Sequence, residues 1–298
     1  MTQPLLAHLD QKSAAGRLSI VVVTHNSAAV IGGCLAALPV AADIVVVDNA
    51  SRDGTVALVR ALRPDAVIVA NPENLGFGRA VNLGMTRTRR ELALVINPDC
   101  RLAPGAAAAL IAASDRYPDA ALFAPQLVDS SCRIQPSHDV ALSARRLLGR
   151  RGREVPEGDL CADFLSGAAF VVRRSAWEAI GGFDERFFLF YEDDDLCLRL
   201  RAAGHGLVLV DGATALHLGG ASAPRNPGRL FFRALHMARS RVLFERKYGG
   251  WAAAAVHGVA AGLRYAGKTV GHGLAGHTAK ARRDAGHLVG TVSGLLAP

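Results

Sequence analysis

The chain has 298 residues and a formal net charge of +8; half of its residues are apolar and a fifth are charged. That composition supplies a sizeable core and excludes wholesale disorder, and the length accommodates one large α/β domain with an appendage, or two domains. Five widely spaced cysteines with no C-x-x-C indicate neither a zinc ribbon nor a disulfide framework, and fit a reducing cytoplasm.

Residues 1–16 read as a tail without the continuous apolar stretch of a signal peptide. Residues 18–24 are an apolar, β-branched run, which predicts a buried parallel strand. His25-Asn26-Ser27 follows, then a helical stretch over 28–38. A second strand over 43–48 ends in Asp48 and a polar turn, and a helix runs from there to about residue 62. A third strand is expected over 66–70. The loop Asn74-Leu75-Gly76-Phe77-Gly78 leads into a helix reaching about residue 87. A fourth strand over 92–96 ends at Asn97-Pro98-Asp99. Strand and helix alternating at this spacing predict an open, mostly parallel sheet. Ligands on such sheets bind beyond the carboxyl ends of the strands, where Thr24, Asp48, Asn74 and Asp99 all fall.

Each polar strand end also has a purely structural reading. Asp48 and Ser51 could form a turn and cap a helix. Asn74-x-Gly76-x-Gly78 could be a tight loop chosen for its backbone, and it is not the dinucleotide fingerprint, which directly follows the first strand. Pro98 stiffens the Asn97-Pro98-Asp99 turn. A stiff turn presenting one carboxylate suits a hard cation that carries phosphate oxygens.

Residues 126–163 break the alternation and hold Arg145, Arg146, Arg150, Arg151 and Arg153. They read either as a solvated loop or as an acceptor-side loop whose guanidinium forks suit phosphate. From Gly181 to Gly204 a glycine turn passes through Phe187, Phe188, Phe190 and Tyr191 into a helix that opens with Glu192-Asp193-Asp194-Asp195. Leu196, Leu200 and Ala203 predict its buried face, Asp195 and Arg199 an i,i+4 pair, and Gly204 its stop. Acids in a first turn complement the helix dipole, which accounts for one or two of the four. Aromatic desolvation and like charge raise a carboxylate's pKa, and that makes a candidate general base.

The charge is concentrated at the end of the chain. From Arg225 to Pro298 there are twelve Lys/Arg and two acids, so this segment carries +10 and the remainder −2. Residues 230–248 read as an amphipathic helix packed on the body. The Ala/Gly/Val-rich stretch after Trp251, with its spaced basic residues, suits an anionic membrane interface. No uncharged apolar run reaches the ~18 residues of a spanning helix, and no nucleic-acid module is recognisable.

The series from Ser19 through Thr24-His25-Asn26-Ser27, Val46-Val47-Asp48-Asn49-Ala50-Ser51, Asn74-Leu75-Gly76-Phe77-Gly78-Arg79 to Asn82, and Asn97-Pro98-Asp99 resembles the family 2 glycosyltransferases. So do Ser166-Gly167-Ala168-Ala169-Phe170, Gly181-Gly182-Phe183-Asp184-Glu185 and Glu192-Asp193-Asp194-Asp195-Leu196, in order over about residues 17–220. The nearest likeness is to rhamnosyltransferase-like, cell-envelope members.

That resemblance implies a GT-A fold: a Rossmann-like, mostly parallel central sheet with flanking helices. A catalytic domain over 17–225 would carry a basic C-terminal helical segment over 226–298. It implies inverting transfer from a nucleotide-diphosphate sugar (dTDP- or UDP-linked, with a sugar such as rhamnose) to a glycan or lipid-diphosphate acceptor. By the same resemblance Asp48 would meet the base, with Thr24 and Asn26 lining the nucleotide. Asn74, Arg79, Asn82 and Asn97 would line the donor. Asp193 would be the catalytic base, with Tyr191 and Glu192 on the acceptor side. Asp99 and His217 would hold Mg²⁺ or Mn²⁺. Asn97 departs from the family's D-x-D pattern and brings no charge, which shifts weight onto Asp99 and His217. The implied location is cytoplasmic, peripheral on the inner membrane face. Two alternatives stand beside this reading. A sugar-phosphate nucleotidyltransferase would need a glycine-rich basic loop after the first strand, which Thr24-His25-Asn26-Ser27 lacks. A non-catalytic sugar- or polyanion-binding module would not need the aligned carboxylates.

Overall fold

Strand β1 (Leu18–Thr24) is buried along its whole length in the computed structural model, which describes residues 16–140, 156–219 and 227–297. It is paired in parallel with β2 (Asp43–Asn49) on one side and β4 (Leu92–Ile96) on the other. β3 (Val67–Asn71) extends the parallel set beyond β2 as a partly exposed edge. Helices α1 (Ala28–Ala36), α2 (Thr55–Leu62) and α3 (Phe77–Met85) are the crossovers. Strands so covered on both faces need continuous apolar runs, and for that reason β1, β2 and β4 can be read directly from sequence.

The second half of the sheet is mixed. After β5 (Cys100–Leu102) and α4 (Ala106–Arg116) come β6 (Ala120–Val128), the short pairs β7 (His138–Asp139) and β9 (Phe164–Leu165), and β8 (Leu160–Cys161). β10 (Ala169–Arg173) then runs antiparallel between β4 and β6, and helix α5 (Arg174–Ala179) follows it. The order across the sheet is β3-β2-β1-β4-β10-β6-β11-β5, with β8 also on β11 (Gly206–His217). β11 is parallel to β6, but its register jumps between Val210 and Thr214 around Gly212, whose φ is +74°. A bulge bends a strand. Beyond the bend β11 pairs antiparallel with β5 and sets His217 opposite Cys100. One buried cluster lies on one face of this sheet, where Ile20, Val22, Leu94 and Ile96 pack with Ile31, Leu35, Leu110 and Phe123.

Two compact units divide the described residues. The first holds the sheet, with residues up to Leu75, from Arg79 to Phe183, and from Leu196 through β11. The second holds Gly76–Gly78, Asp184–Asp195 and the C-terminal helices. Helix α6 (Glu192–Ala202) begins in the second and continues in the first. Leu196, Cys197 and Leu200 form its buried face. Ala203 is exposed, contrary to its expected place on that face, because the helix has ended. Gly204 (φ +89°) donates to the Arg201 carbonyl and His205 to that of Leu200, a Schellman stop as the glycine predicts.

In the second unit, α7 (Pro227–Leu274) is interrupted at Gly250 (φ +77°), and α8 (Thr278–Leu296) follows. Gly286, Gly290 and Gly294 of α8 lie against the first half of α7. A Cβ on Gly290 would stand 2.0 Å from the Leu235 carbonyl oxygen, so only glycine permits this approach. The arginines at 145–153 and the expected boundary at 225/226 lie outside the described residues.

Candidate active site

The C-terminal ends of β1, β2 and β3 are laced together by side chains. Thr24 is buried, and its hydroxyl donates to Asp48 Oδ1 at 2.7 Å. The same oxygen accepts from Ser51 Oγ at 2.6 Å, and Oδ2 accepts from the Ser51 amide at 2.9 Å. The turn read for Asp48 and Ser51 is therefore present, whereas the helix cap is not, since α2 starts after Gly54 without a side-chain cap; the turn holds a buried carboxylate at the end of β2. Asn26 sits at φ +52°. Its amide donates to Ser51 Oγ, and its Oδ1 accepts from the Arg52 amide. Asn71 donates to Asn49 Oδ1 at 3.0 Å. Two backbone loops are thus fixed by polar side chains rather than by apolar contact.

Asn74 is half-buried, and Arg79 is exposed on the first turn of α3. Asn82 has a bracing use: its Nδ2 donates to the Phe183 carbonyl and its Oδ1 accepts from the Phe183 amide, both at 2.9 Å. Gly182 (φ +69°) leaves room for that clasp, since a Cβ there would be 2.6 Å from Asn82 Oδ1. In the second unit Gly76 (φ +85°) passes so close to Phe188 that a Cβ would stand 2.3 Å from its carbonyl oxygen. The backbone reading of that glycine is correct.

The turn at Asn97-Pro98-Asp99 is held from the Ser166-Gly167-Ala168 segment. The Ala168 carbonyl accepts from the Asn97 amide at 2.8 Å and from the Cys100 thiol at 3.4 Å. Asp99 is buried, and its Oδ1 lies 3.6 Å from His217 Nε2. Gln135, which the sequence did not single out, decides what that distance means. Its Nε2 donates to the His217 carbonyl at 2.7 Å, and its Oε1 is 2.9 Å from His217 Nδ1. A carbonyl only accepts, so the amide's orientation is fixed, and Nδ1 must carry the proton. Burial lowers the His217 pKa despite the nearby Asp99, so the ring is neutral at neutral pH. Nε2 then presents a lone pair towards a carboxylate oxygen. Two acceptors facing each other across 3.6 Å, each held by its own scaffold, fit a divalent cation. Cys100 Sγ lies in the same group of donor atoms, all within 4.8 Å of one another. Burial first, and Asp99 second, keep its thiol protonated well above the usual range, and its hydrogen points to Ala168. The usable ligands are Asp99 and His217.

The four acids at the start of α6 are sorted by their surroundings in the second unit. Phe190 and Tyr191 enter the helix at φ +70° and +66°, a costly conformation for aromatic residues that concentrates at functional sites. Tyr191 packs on Phe244, and Arg233 lies 5.0 Å over the Phe190 ring. Asp195 is fully buried and bonds to Lys247 Nζ and to Tyr248 Oη, the latter at 2.7 Å. Lys247 also bonds to Asp184 at 2.7 Å; against the cost of its burial, Arg186 and Lys247 hold that carboxyl well below the usual range. Asp194 is buried as well. Glu192 is buried, and its Oε2 has no hydrogen-bond partner among the described residues. Burial, then Asp193 and Asp194, push its pKa well above the usual carboxylate value, so it favours the neutral acid. Asp193 remains: half-buried, its Oδ1 accepting from the Asp194 amide at 3.0 Å. Of the four it is the one with partial access to solvent.

The model of the family described as "Glycosyl transferase family 2" matches residues 19–181. An N-acetylglucosaminyl-diphospho-decaprenol L-rhamnosyltransferase of Mycobacterium tuberculosis is 29% identical over 265 residues, covering 78% of this chain and 86% of that protein. The rhamnosyltransferase WbbL of Escherichia coli is 30% identical over 116 residues, covering 34% of this chain and 42% of that one. Among solved structures, the mannosyltransferase PcManGT of Pyrobaculum calidifontis, in complex with GDP-Man and Mn²⁺, superposes with a TM-score of 0.56 at 18% identity, covering 98% of this chain and 94% of that one. S. aureus TarS 1–349 with UDP-GlcNAc gives 0.55 at 16% identity, covering 93% and 91%. These two establish the GT-A fold, while the family model spans more than half of the chain. The chain belongs to the family 2 glycosyltransferases, on the branch that holds rhamnosyltransferases.

Proposed function

We propose that this glycosyltransferase moves a sugar, such as rhamnose, from a dTDP- or UDP-linked donor to a hydroxyl of a lipid-diphosphate-borne glycan in cell-envelope synthesis, with inversion. The mycobacterial relative, whose printed name specifies a diphospho-decaprenol acceptor, supports the acceptor class. The observation that carries the metal-assisted part is the neutral His217 Nε2 facing Asp99 Oδ1, with Gln135 fixing the tautomer.

In this reading Asp48, with Thr24 behind it, meets the base, and Asn26 shapes the nucleotide loop. Asn74, Arg79 and Asn97 line the donor, and Asn82 holds the Phe183 backbone beneath it. Asp193 takes the acceptor proton as the hydroxyl oxygen bonds to the anomeric carbon and the bond to the diphosphate breaks. Tyr191 and Glu192 lie on the acceptor side. A hydroxyl is a poor nucleophile until a carboxylate accepts its proton, so one general base suffices. A Mg²⁺ or Mn²⁺ held by Asp99 and His217 would supply Lewis-acid stabilisation of the departing diphosphate. A peripheral position on the inner face of the membrane would bring a lipid-borne acceptor within reach.

The test pairs turnover with metal binding. Nucleoside diphosphate release from candidate donors should require both a prenyl-diphosphate-linked glycan and a divalent cation, and excess EDTA should abolish it. Gln135→Ala should weaken Mn²⁺ binding, followed by paramagnetic resonance, by about 10–100-fold, the usual effect of removing a group that orients a ligand histidine. Full activity in EDTA, or unchanged Mn²⁺ affinity in Gln135→Ala, would remove the metal from the reading.

A further inference from the structure

The segment of α7 after Gly250 has two opposite faces. Its inner face is partnered: Ala254 is fully buried, Gly258 packs against Leu295, Tyr265 stacks on His287 at 4.4 Å, and His272 bonds to Asp284 at 2.7 Å. At about 100° per residue these positions share one stripe. Val256, Val259, Leu263, Val270 and Leu274 form a second stripe roughly on the other side, and all five are between 60% and 87% exposed. Large side chains spaced 3, 4, 7 and 4 residues apart along a helix, all in water, are a contiguous apolar face rather than scattered surface residues. Helix α8 adds Val289, Val292 and Leu296, also exposed.

The charges around this face select its occupant. From Trp251 to Ala297 the sequence has five Lys/Arg and a single acid, Asp284. That acid is fully buried and bonded to His272 and Arg283. Lys280, Arg282 and Arg283 crowd the start of α8 and are exposed, Arg264 borders the α7 stripe, and Arg282 lies two turns before Val289 on the α8 row. A second copy would set this cationic surface against itself. No described helix is long and apolar enough to cross a membrane. An apolar stripe bordered by cations on a helix that does not span is the pattern of an interfacial helix on anionic lipid.

We infer that the helical pair 251–274 and 278–296 docks flat on an anionic bilayer, with Val259 and Leu263 at the centre of the inserted face. The inference deepens the peripheral-membrane reading above and rests on it. It names which surface binds and which lipid charge it requires. Trp251, at the start of the helix, is 58% exposed, whereas the chain's other tryptophan, Trp177, is 5% exposed. Tryptophan emission that responds to lipid therefore reports on residue 251.

The full chain is floated with vesicles of phosphatidylcholine alone and with 30% phosphatidylglycerol, at low and high salt, and its emission is followed with brominated lipid. Binding to the anionic vesicles should exceed binding to the neutral ones at least tenfold and should fall with salt, and bromine should quench Trp251. Val259→Glu/Leu263→Glu should lose at least tenfold of that binding, with a circular-dichroism melt matching the parent. Lys280→Glu/Arg282→Glu should do the same by charge alone. Neither readout uses catalysis, so an inactive donor or acceptor leaves this test intact. Equal binding of parent and both variants, or absence of quenching, overturns the proposal. So does a sedimenting dimer that Val259→Glu/Leu263→Glu dissociates while vesicles stay unbound, since the occupant would then be a second copy.

Discussion

Glu192 gives a pH-dependent consequence whose sign is fixed by its surroundings. Its folded pKa is raised, so the folded chain holds a proton that the unfolded chain has released. The stability this group contributes is fully present below its unfolded value near 4.5 and is lost as pH rises through the folded value. Glu192→Gln keeps the shape and cannot ionise. In urea melts the variant should match the parent below about pH 4 and gain on it as pH rises above the unfolded value. A parent that gains on the variant over that range would contradict the buried, neutral acid. At the same scale, Thr24, Asp48 and Asp99 were legible because each polar group ends an unmistakable apolar run. Gln135 was not. It lies in a stretch the sequence marks only as a break in the alternation, and its partner is 82 residues away. Asp195 was likewise opaque, because the lysine and tyrosine that anchor it belong to a helix some fifty residues on.

At the scale of elements, strands covered on both faces left the clearest trace: β4 falls on 92–96 as expected, and β1 on 18–24. The antiparallel insertion of β10 left none. An apolar five-residue strand reads the same in either direction, and only the sheet decides its pairing. The bulge that carries His217 to β5 is a three-dimensional event hidden in one strand. Helices α7 and α8 were legible as helices, whereas the glycine seam between them was not. It gives a contrast within one unit. Gly290→Ala places a methyl against the Leu235 backbone, and overpacking of that kind costs about 1–3 kcal/mol. Gly262→Ala meets nothing within 4 Å on the same helical assembly and should stabilise by up to about 1 kcal/mol through helix propensity. Thermal melts of the two should move in opposite directions. Equal shifts would mean that the close approach of α7 and α8 is not required.

At the scale of the molecule, charge and chemistry are segregated along the chain. The last quarter carries the +10, and the aligned polar strand ends lie wholly upstream. That separation was visible in composition. The division of the described residues was not: Gly76–Gly78 and Asp184–Asp195 group with the C-terminal helices, so Asp193 belongs to one unit and Asp99 to the other. In the proposed reading Asp193 bears the proton. The decisive measurement is single-turnover transfer by Asp193→Asn beside the parent, with donor affinity determined on the same preparations. Asparagine keeps the shape and removes proton acceptance. Donor affinity should stay within a few-fold, while the transfer rate should fall by about 10²–10⁴, the usual share of general-base catalysis. A transfer rate near that of the parent would contradict the assignment of Asp193 as the base.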